Sequence, residues 1–194
     1  MEKVELILID ICELKEEDVS SIPLLTHEDL NEVNKIKMVE SKIQKAVSFY
    51  LKRKYIGEYS LNENNKPISK KTYFNISHSK EYVALAIASK PVGVDVEQIR
   101  SYRKELIDFL SNEPIGDEES FFRVWTMKEA ILKADGIGLN GNIKSINSFP
   151  TDGIKEYLDK KYFVKQSKIS NYIFSIALES NKDFEILCKL GEIS

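Results

Sequence analysis

The chain has 194 residues, of which 42% are hydrophobic and 30% charged, and its formal net charge is −3 at neutral pH. This length and composition are typical of one large or two small globular domains. An acidic balance with only four arginines gives no support to a protein that coats nucleic acid or to a basic protein that binds membrane surfaces.

Two features of the sequence bear on where the protein resides. The N-terminal segment MEKVELILID has only a short aliphatic run before Asp10, which predicts a strand rather than a signal peptide. No apolar run approaches the about 20 residues that a membrane-spanning helix needs. Cys12 and Cys188 are far apart and form no CxxC pair, so we expect reduced, buried, structural cysteines in a cytoplasmic protein.

The first predicted elements are a strand over residues 4–11 and one long helix. Thr26 followed by Asp29 resembles a capping box, and the helical spacing of apolar residues then continues to about Tyr55. The lysines of this helix predict a solvated outer face, with contact to an anionic ligand as the less favoured alternative. They are Lys35, Lys37, Lys42, Lys45 and Lys52.

The middle of the chain predicts short strands between turns and loops. Val83, Leu85 and Ile87 alternate with alanines, which predicts a strand buried on both faces with little room on one. The predicted elements are a polar loop at 62–71, strands at 73–77 and 81–89 joined by a tight turn at 78–80, a strand at 92–97, a helix at 101–110 and an acidic loop at 112–119.

The stretch from Phe121 to Gly138 predicts a second dominant helix with a broad apolar face and Gly136 as a plausible stop. Glu129 and Lys133 are four residues apart and are therefore neighbours on its surface. They form either an ordinary salt bridge or half of a site that handles phosphate and metal. Short strands are predicted after this helix, at 143–149, 162–168, 172–178 and 184–188.

This order of elements predicts an α+β fold. Each half has one dominant helix followed by strands, so we expect two architecturally similar halves, residues 1–97 and 98–194.

Asp95 and Glu97, in the sequence GVDVE, are the first candidate site residues. Residues two apart in a strand point to the same side, so both carboxylates project together while Val94 and Val96 face the core. Two adjacent like charges favour a cation between them, and Mg²⁺ is the usual cation where phosphate also binds. Taken alone, the pair fits a solvent-facing sheet edge better than a ligand site.

The sequence FNISHS at 74–79 and the Lys66-Pro67 pair are the other candidates. The hydroxyl of Ser77, the imidazole of His78 and the backbone of the predicted turn fit a phosphate-oxygen site, unless His78 only caps its own turn. Lys66 offers a cation on a stiffened loop, although a mobile surface lysine is the simpler interpretation.

Together these residues predict a magnesium site that binds a phosphate ester or pyrophosphate. The sequence contains no Walker loop, no GxGxxG and no nucleophilic triad that we could justify. A group would therefore be transferred by positioning and charge neutralisation, without a covalent enzyme intermediate.

In this order, the motifs resemble the 4′-phosphopantetheinyl transferases of the surfactin-synthetase-activating type. The resemblance is carried by Lys66-Pro67 with FNISHS, by GVDVE at 93–97, and by WTMKEAILKADGIGL at 125–139, which is similar to the pattern W-x-x-K-E-[S/A]-x-x-K at every fixed position. It implies a pseudo-twofold pair of similar α+β halves with the active site in the cleft between them. It also implies magnesium-dependent transfer of the phosphopantetheine arm of coenzyme A to a serine of an apo carrier protein, with release of adenosine 3′,5′-bisphosphate.

The resemblance also implies roles for individual residues. Asp95, Glu97 and Glu129 would bind Mg²⁺, and Glu129 would take the proton of the carrier serine. Lys133 would hold the pyrophosphate and stabilise the leaving group. The implied coenzyme A contacts are Lys42, Lys66, Pro67, Ser77, His78 and, ranked lower, Lys128.

The expected partners are an acyl or peptidyl carrier protein of fatty-acid, polyketide or nonribosomal-peptide synthesis, and coenzyme A. We expect a cytoplasmic monomer that binds neither nucleic acid nor membrane. Two alternatives stay open: a magnesium-dependent phosphodiesterase or nuclease using the same carboxylates, and a non-catalytic carrier-binding protein.

Overall fold

A computed structural model describes residues 1–62, 67–138 and 141–193 and has the predicted α+β character. Its first elements are β1 (Glu2–Asp10), a 3₁₀ turn (Glu16–Ser21), α1 (His27–Asn34), α2 (Val39–Leu51) with a π-helical extension (Lys52–Ile56), β2 (Ser60–Leu61), β3 (Pro67–Ile68), β4 (Tyr73–Ser79) and β5 (Tyr82–Ala88). They are followed by β6 (Val92–Gln98), α3 (Glu105–Leu110), α4 (Glu118–Asp135), a 3₁₀ turn (Ile143–Ser145), β7 (Gly153–Tyr157), β8 (Lys160–Ile169), β9 (Tyr172–Glu179) and β10 (Phe184–Leu190).

Two four-stranded sheets organise the chain. The first has the order β10-β1-β5-β4, in which β10 lies parallel to β1 and the other pairs are antiparallel. The second has the antiparallel order β6-β9-β8-β7. The strand at 92–98 thus joins the second sheet and the last strand joins the first, while the division at residue 97 stays a prediction.

The sheets pack face to face, with helices on the outer sides. Ala84, Ala86 and Ala88 of β5 contact the second sheet, whereas Val83 and Leu85 bury under the helices of the first. The prediction of a strand buried on both faces, with little room on one, is confirmed. Short alanine side chains let the two sheets approach closely along β5.

Strand β6 packs against α4 through Gly93. A Cβ atom at Gly93 would lie 1.9 Å from the carbonyl oxygen of Ala130 and 2.6 Å from the amide nitrogen of Ala134. On its other face, Val94 and Val96 bury between the sheets, as predicted. Only glycine allows this contact, which fixes the distance between the carboxylates of β6 and the side chains of α4.

The second dominant helix has the predicted extent except at its start. It begins at Glu118, because Asp117 caps it by accepting a hydrogen bond from the Ser120 amide at 2.7 Å. It ends at Gly136, whose φ of 94° is left-handed.

The single long helix predicted from Thr26 to Tyr55 is wrong. The Thr26–Asp29 capping box is present, but the chain leaves the helix after Asn34 and starts again at Val39. Val33 and Ile43 nevertheless bury in the same core, so the break keeps the apolar spacing while it folds α1 against α2.

Several other boundaries differ from the prediction. Strand β4 runs through His78 to Ser79, so the predicted turn at 78–80 is wrong and the hairpin turns at Lys80 and Glu81. The predicted strand at 143–149 holds a 3₁₀ turn, and β7 was missed. The predicted helix at 101–110 starts only at Glu105.

Cys12 and Cys188 are free, as expected, but both are exposed, so the prediction of buried cysteines is wrong. Within residues 1–62, 67–138 and 141–193, the helices are all too short or too polar to cross a bilayer.

The substitution Gly93→Ala tests the contact between β6 and α4. We expect it to lower the free energy of unfolding by about 3 kcal/mol, since the new methyl group must displace helix backbone rather than a flexible side chain. Urea denaturation measures the effect. Gly116→Ala is the control, because nothing lies within 4 Å of a Cβ there. Equal stability of Gly93→Ala and the wild-type protein would contradict this packing.

Candidate active site

A cavity of about 770 Å³, called here the main cavity, collects most of the predicted site residues. Its wall is built from α1, α2 with its extension, β4, β6 and α4. The predicted residues that line it are Pro67, Ser77, His78, Asp95, Glu97, Glu129 and Lys133. Residues from both dominant helices and from two different sheets therefore meet at one concave surface.

Asp95 lies at the centre of a polar network. One of its oxygens, Oδ1, accepts hydrogen bonds from Ser77 Oγ at 2.9 Å and from the Lys133 ammonium at 2.6 Å. The same ammonium donates to Ser77 Oγ at 3.0 Å and to the Val94 carbonyl at 3.3 Å. Lys133 thus bonds to Asp95 of β6, although Glu129 is its neighbour on α4.

Among the residues that line the cavity, two buried carboxylate oxygens face no hydrogen-bond donor in the described structure: Asp95 Oδ2 and Glu129 Oε1. Leaving a buried anion unsatisfied is costly, because its full desolvation is not compensated. Burial, the Asp95 charge and, more weakly, the Glu97 charge raise the pKa of Glu129 to about 7, against the opposing effect of Lys133. Such a site favours the arrival of a cation.

The carboxylate oxygens in this cavity are suitable ligands for Mg²⁺, which binds through one or two carboxylates together with phosphate oxygens and water. Asp95 and Glu129 each offer a buried oxygen without a partner. No group of three histidine, cysteine, aspartate or glutamate side chains in the described ranges forms a complete metal site by itself. The residues therefore fit an ion shared with a phosphate ligand, and the ligand set Asp95, Glu97 and Glu129 stays a prediction.

Glu97 is oriented by hydrogen-bond donors from β4 and from the segment that follows β6. Its Oε2 accepts hydrogen bonds from Ser79 Oγ and from Arg100 Nη1, both at 3.0 Å. Trp125 of α4 lies nearby in the cavity wall.

His78 projects from a strand, not from a turn. Its ring is accessible to water, yet the concave wall surrounds it with protein atoms. This burial, together with the positive charge of Lys133, lowers the pKa of His78 below its usual value. A neutral imidazole that lines the cavity is available as a hydrogen-bond partner near neutral pH.

Two predicted coenzyme A contacts, Lys42 and Lys128, do not line the cavity, and a third lies outside the described residues. Lys128 is fully buried, donates to the Leu110 carbonyl at 2.8 Å, and has its pKa lowered to about 8 by burial. Lys42 forms an ion pair with Glu16, outside the main cavity. Lys66 lies outside the described residues, so its role stays a prediction.

Lys45 and Lys52 line the cavity instead, which agrees with the less favoured of the two interpretations that the sequence allows for these lysines. The Lys52 ammonium lies 4.5 Å from the ring centre of Phe49 and 4.9 Å from that of Tyr59. Burial and the nearby Lys45 charge lower the pKa of Lys52 to about 8. The Lys45 ammonium lies 4.9 Å from the ring centre of Phe49.

A signal for these two lysines was present in the sequence. Lys45, Phe49 and Lys52 are spaced by four and then three residues, which puts them on one helix face. An aromatic residue between two lysines on one face indicates a surface more specific than a solvated exterior.

Comparison with known proteins supports the resemblance seen in the motifs. Residues 91–182 match the model of the 4′-phosphopantetheinyl transferase superfamily, a stretch that contains GVDVE and the motif that begins at Trp125. The predicted similarity to this family is confirmed over that stretch. The motif around FNISHS precedes it.

Individual relatives bear the same name. The chain is 38% identical to 4′-phosphopantetheinyl transferase gsp of Aneurinibacillus migulanus over 102 residues, which are 47% of this chain and 42% of the relative. It is 33% identical to psf-1 of Bacillus pumilus, over 44% of this chain and 42% of the relative. It is 32% identical to Sfp of Bacillus subtilis strain 168, over 35% of each. The similarity therefore spans less than half the length of these curated relatives.

Proposed function

We propose that the protein transfers the 4′-phosphopantetheine arm of coenzyme A to a serine of an apo acyl or peptidyl carrier protein and releases adenosine 3′,5′-bisphosphate. One observation carries the proposal: Asp95, Glu97, Glu129 and Lys133 line one cavity, in which two carboxylate oxygens are buried without a partner. The relatives named above support the reaction type.

In this proposal Asp95, Glu97 and Glu129 would hold Mg²⁺ together with the pyrophosphate of coenzyme A. When bound, the ion would neutralise negative charge on the phosphate oxygens. Ser77 and Ser79 hold oxygens of Asp95 and Glu97 at 2.9 and 3.0 Å, which fixes both carboxylates before any ligand arrives.

Glu129 acts as the base. The carrier serine oxygen forms a bond to the phosphorus that bears the pantetheine arm, and the bridging phosphorus–oxygen bond to the nucleotide breaks. The serine proton passes to Glu129, a buried carboxylate in the wall of the same cavity. The electron pair of the broken bond stays on the leaving bisphosphate.

Lys133 stabilises that leaving group. Its ammonium lies in the wall of the same cavity as the three carboxylates and bonds Asp95 at 2.6 Å. A fixed positive charge in a partly buried site stabilises developing negative charge without reorganisation of water.

The nucleotide binds at the end of the cavity formed by α2. Lys45 and Lys52 take the 3′-phosphate, in place of the predicted Lys42, and Phe49 and Tyr59 provide apolar surface for the base. His78 and Pro67 line the same cavity.

The finer architecture belongs to the same proposal. Two similar halves, 1–97 and 98–194, would form a pseudo-twofold pair with the active site in the cleft between them, in a cytoplasmic monomer. The lining of the main cavity supports this view, since it combines residues of α2 and β4 with residues of α4.

The substitution Glu129→Gln tests the base. We expect transfer to fall at least about a hundredfold, because the amide cannot accept the serine proton. The fold should persist, since a neutral side chain replaces a carboxylate whose charge is disfavoured by burial. Mass spectrometry of the carrier measures transfer, and Glu118→Gln, at the exposed start of α4, is the matched control. A variant at residue 129 that modifies the carrier at the wild-type rate would refute this role.

Lys45→Met and Lys52→Met test the nucleotide site. Each should raise the KM for coenzyme A about tenfold, the usual cost of losing one charged hydrogen bond. The KM for dephospho-coenzyme A, which lacks the 3′-phosphate, should not change. Lys42→Met is the control on the same helix, since Lys42 pairs with Glu16 away from the cavity. An equal rise in the KM for coenzyme A and in the KM for dephospho-coenzyme A would rule out the 3′-phosphate as the group that these lysines bind.

A further inference from the structure

Strands β4 and β6 are the edge strands of different sheets, and side chains of β4 join them. Three alternate residues of β4 make these bonds. Asn75 Oδ1 accepts from the Val94 amide at 3.1 Å, Ser77 Oγ donates to Asp95 at 2.9 Å, and Ser79 Oγ donates to Glu97 at 3.0 Å. Alternate residues of a strand point to the same side. Ser77 and Ser79 therefore both face β6, where Asp95 and Glu97 also share one side.

Ser79 has the geometry to orient Glu97. The residue is buried, and its Oγ accepts a hydrogen bond from the Gln98 amide at 3.3 Å while it donates to Glu97 Oε2. The backbone amide of Gln98 can only donate, so the single hydroxyl proton of Ser79 points to the Glu97 carboxylate. Arg100 donates to the same oxygen at 3.0 Å and to the Gln98 carbonyl at 3.2 Å.

The Ser79 hydroxyl orients the Glu97 carboxylate by one hydrogen bond but leaves its negative charge in place. A cation in the same position would neutralise that charge. The Arg100 side chain is half exposed, so water screens its charge. A carboxylate that is oriented but not neutralised by a buried partner is suited to bind a cation.

We propose that Ser79 is a positioning residue, which holds the Glu97 carboxylate in the orientation that binds a divalent cation. The inference rests on the proposed function only in taking Glu97 as a ligand of the ion. Ser79 itself touches neither ion nor substrate; it acts through Glu97.

Binding of Mn²⁺, measured by electron paramagnetic resonance on the full chain both without and with coenzyme A, tests the inference. We expect Ser79→Ala to raise the Kd for Mn²⁺ at least about tenfold, the usual cost of removing a group that orients a ligand. In a Glu97→Gln background the same substitution should change the Kd less than twofold, because Ser79 then has no carboxylate to orient.

Ser180→Ala is the matched control. Ser180 is also buried, and its hydroxyl forms hydrogen bonds within its own turn and with Glu2, at the other end of β9. It should leave the Kd unchanged, and urea denaturation should show that all variants are folded. An unchanged Kd in Ser79→Ala, an equal loss in both backgrounds, or a wild-type protein that does not bind Mn²⁺ would each overturn the inference.

The transfer assay separates this inference from the proposed function. Wild-type protein that shows the expected Mn²⁺ pattern but modifies no carrier would contradict the proposed reaction and leave the role of Ser79 intact. Protein that transfers normally with Ser79→Ala and shows an unchanged Kd would contradict the role of Ser79 alone.

Discussion

The close contact between Gly93 and α4 is the constraint on which the candidate site depends. Because a Cβ at this position would meet the helix backbone at Ala130, β6 lies directly against α4. Asp95 and Glu97 follow on the same face of the strand, so the contact brings them beside Glu129 and Lys133. Strand β6 is also the edge of its sheet, which leaves its other side available to the serines of β4.

This packing produces an electrostatic imbalance. Asp95, Glu97 and Glu129 lie in the wall of one cavity, and Lys133 forms an ion pair with Asp95. The raised pKa of Glu129 and the two buried oxygens without a partner have the same cause, an excess of negative charge where water is scarce. Lys45 and Lys52, which lie near aromatic rings, supply positive charge at the α2 end of the cavity.

The sequence predicted the elements that have strong local patterns. Strand β6 and α4 were found because a period of two and a helical period specify which residues share a face. Local patterns do not predict that β6 packs on α4. They therefore could not place Asp95, Glu97, Glu129 and Lys133 in one cavity. The resemblance to a family supplied that grouping in advance, and the cavity is consistent with it.

The failures have physical causes that single residues illustrate. The β4–β5 turn contains no glycine or asparagine, and Lys80 itself adopts a φ of 50°, so the turn was placed two residues too early. Lys128 lies four residues after Val124 and four before Leu132, so it falls on the apolar face of α4, and its side chain enters the core to reach the Leu110 carbonyl. The directions of Lys42, Lys45 and Lys52 depend on where α2 meets the rest of the fold, and that is a tertiary property.

The most direct test of the central claim is the mass of an apo carrier protein incubated with the wild-type protein and coenzyme A, first with Mg²⁺ and then with EDTA. The account predicts that the carrier gains the mass of one phosphopantetheine arm with Mg²⁺ and gains nothing with EDTA. An unchanged mass for apo acyl and peptidyl carriers alike, with folded protein and Mg²⁺ present, would contradict it.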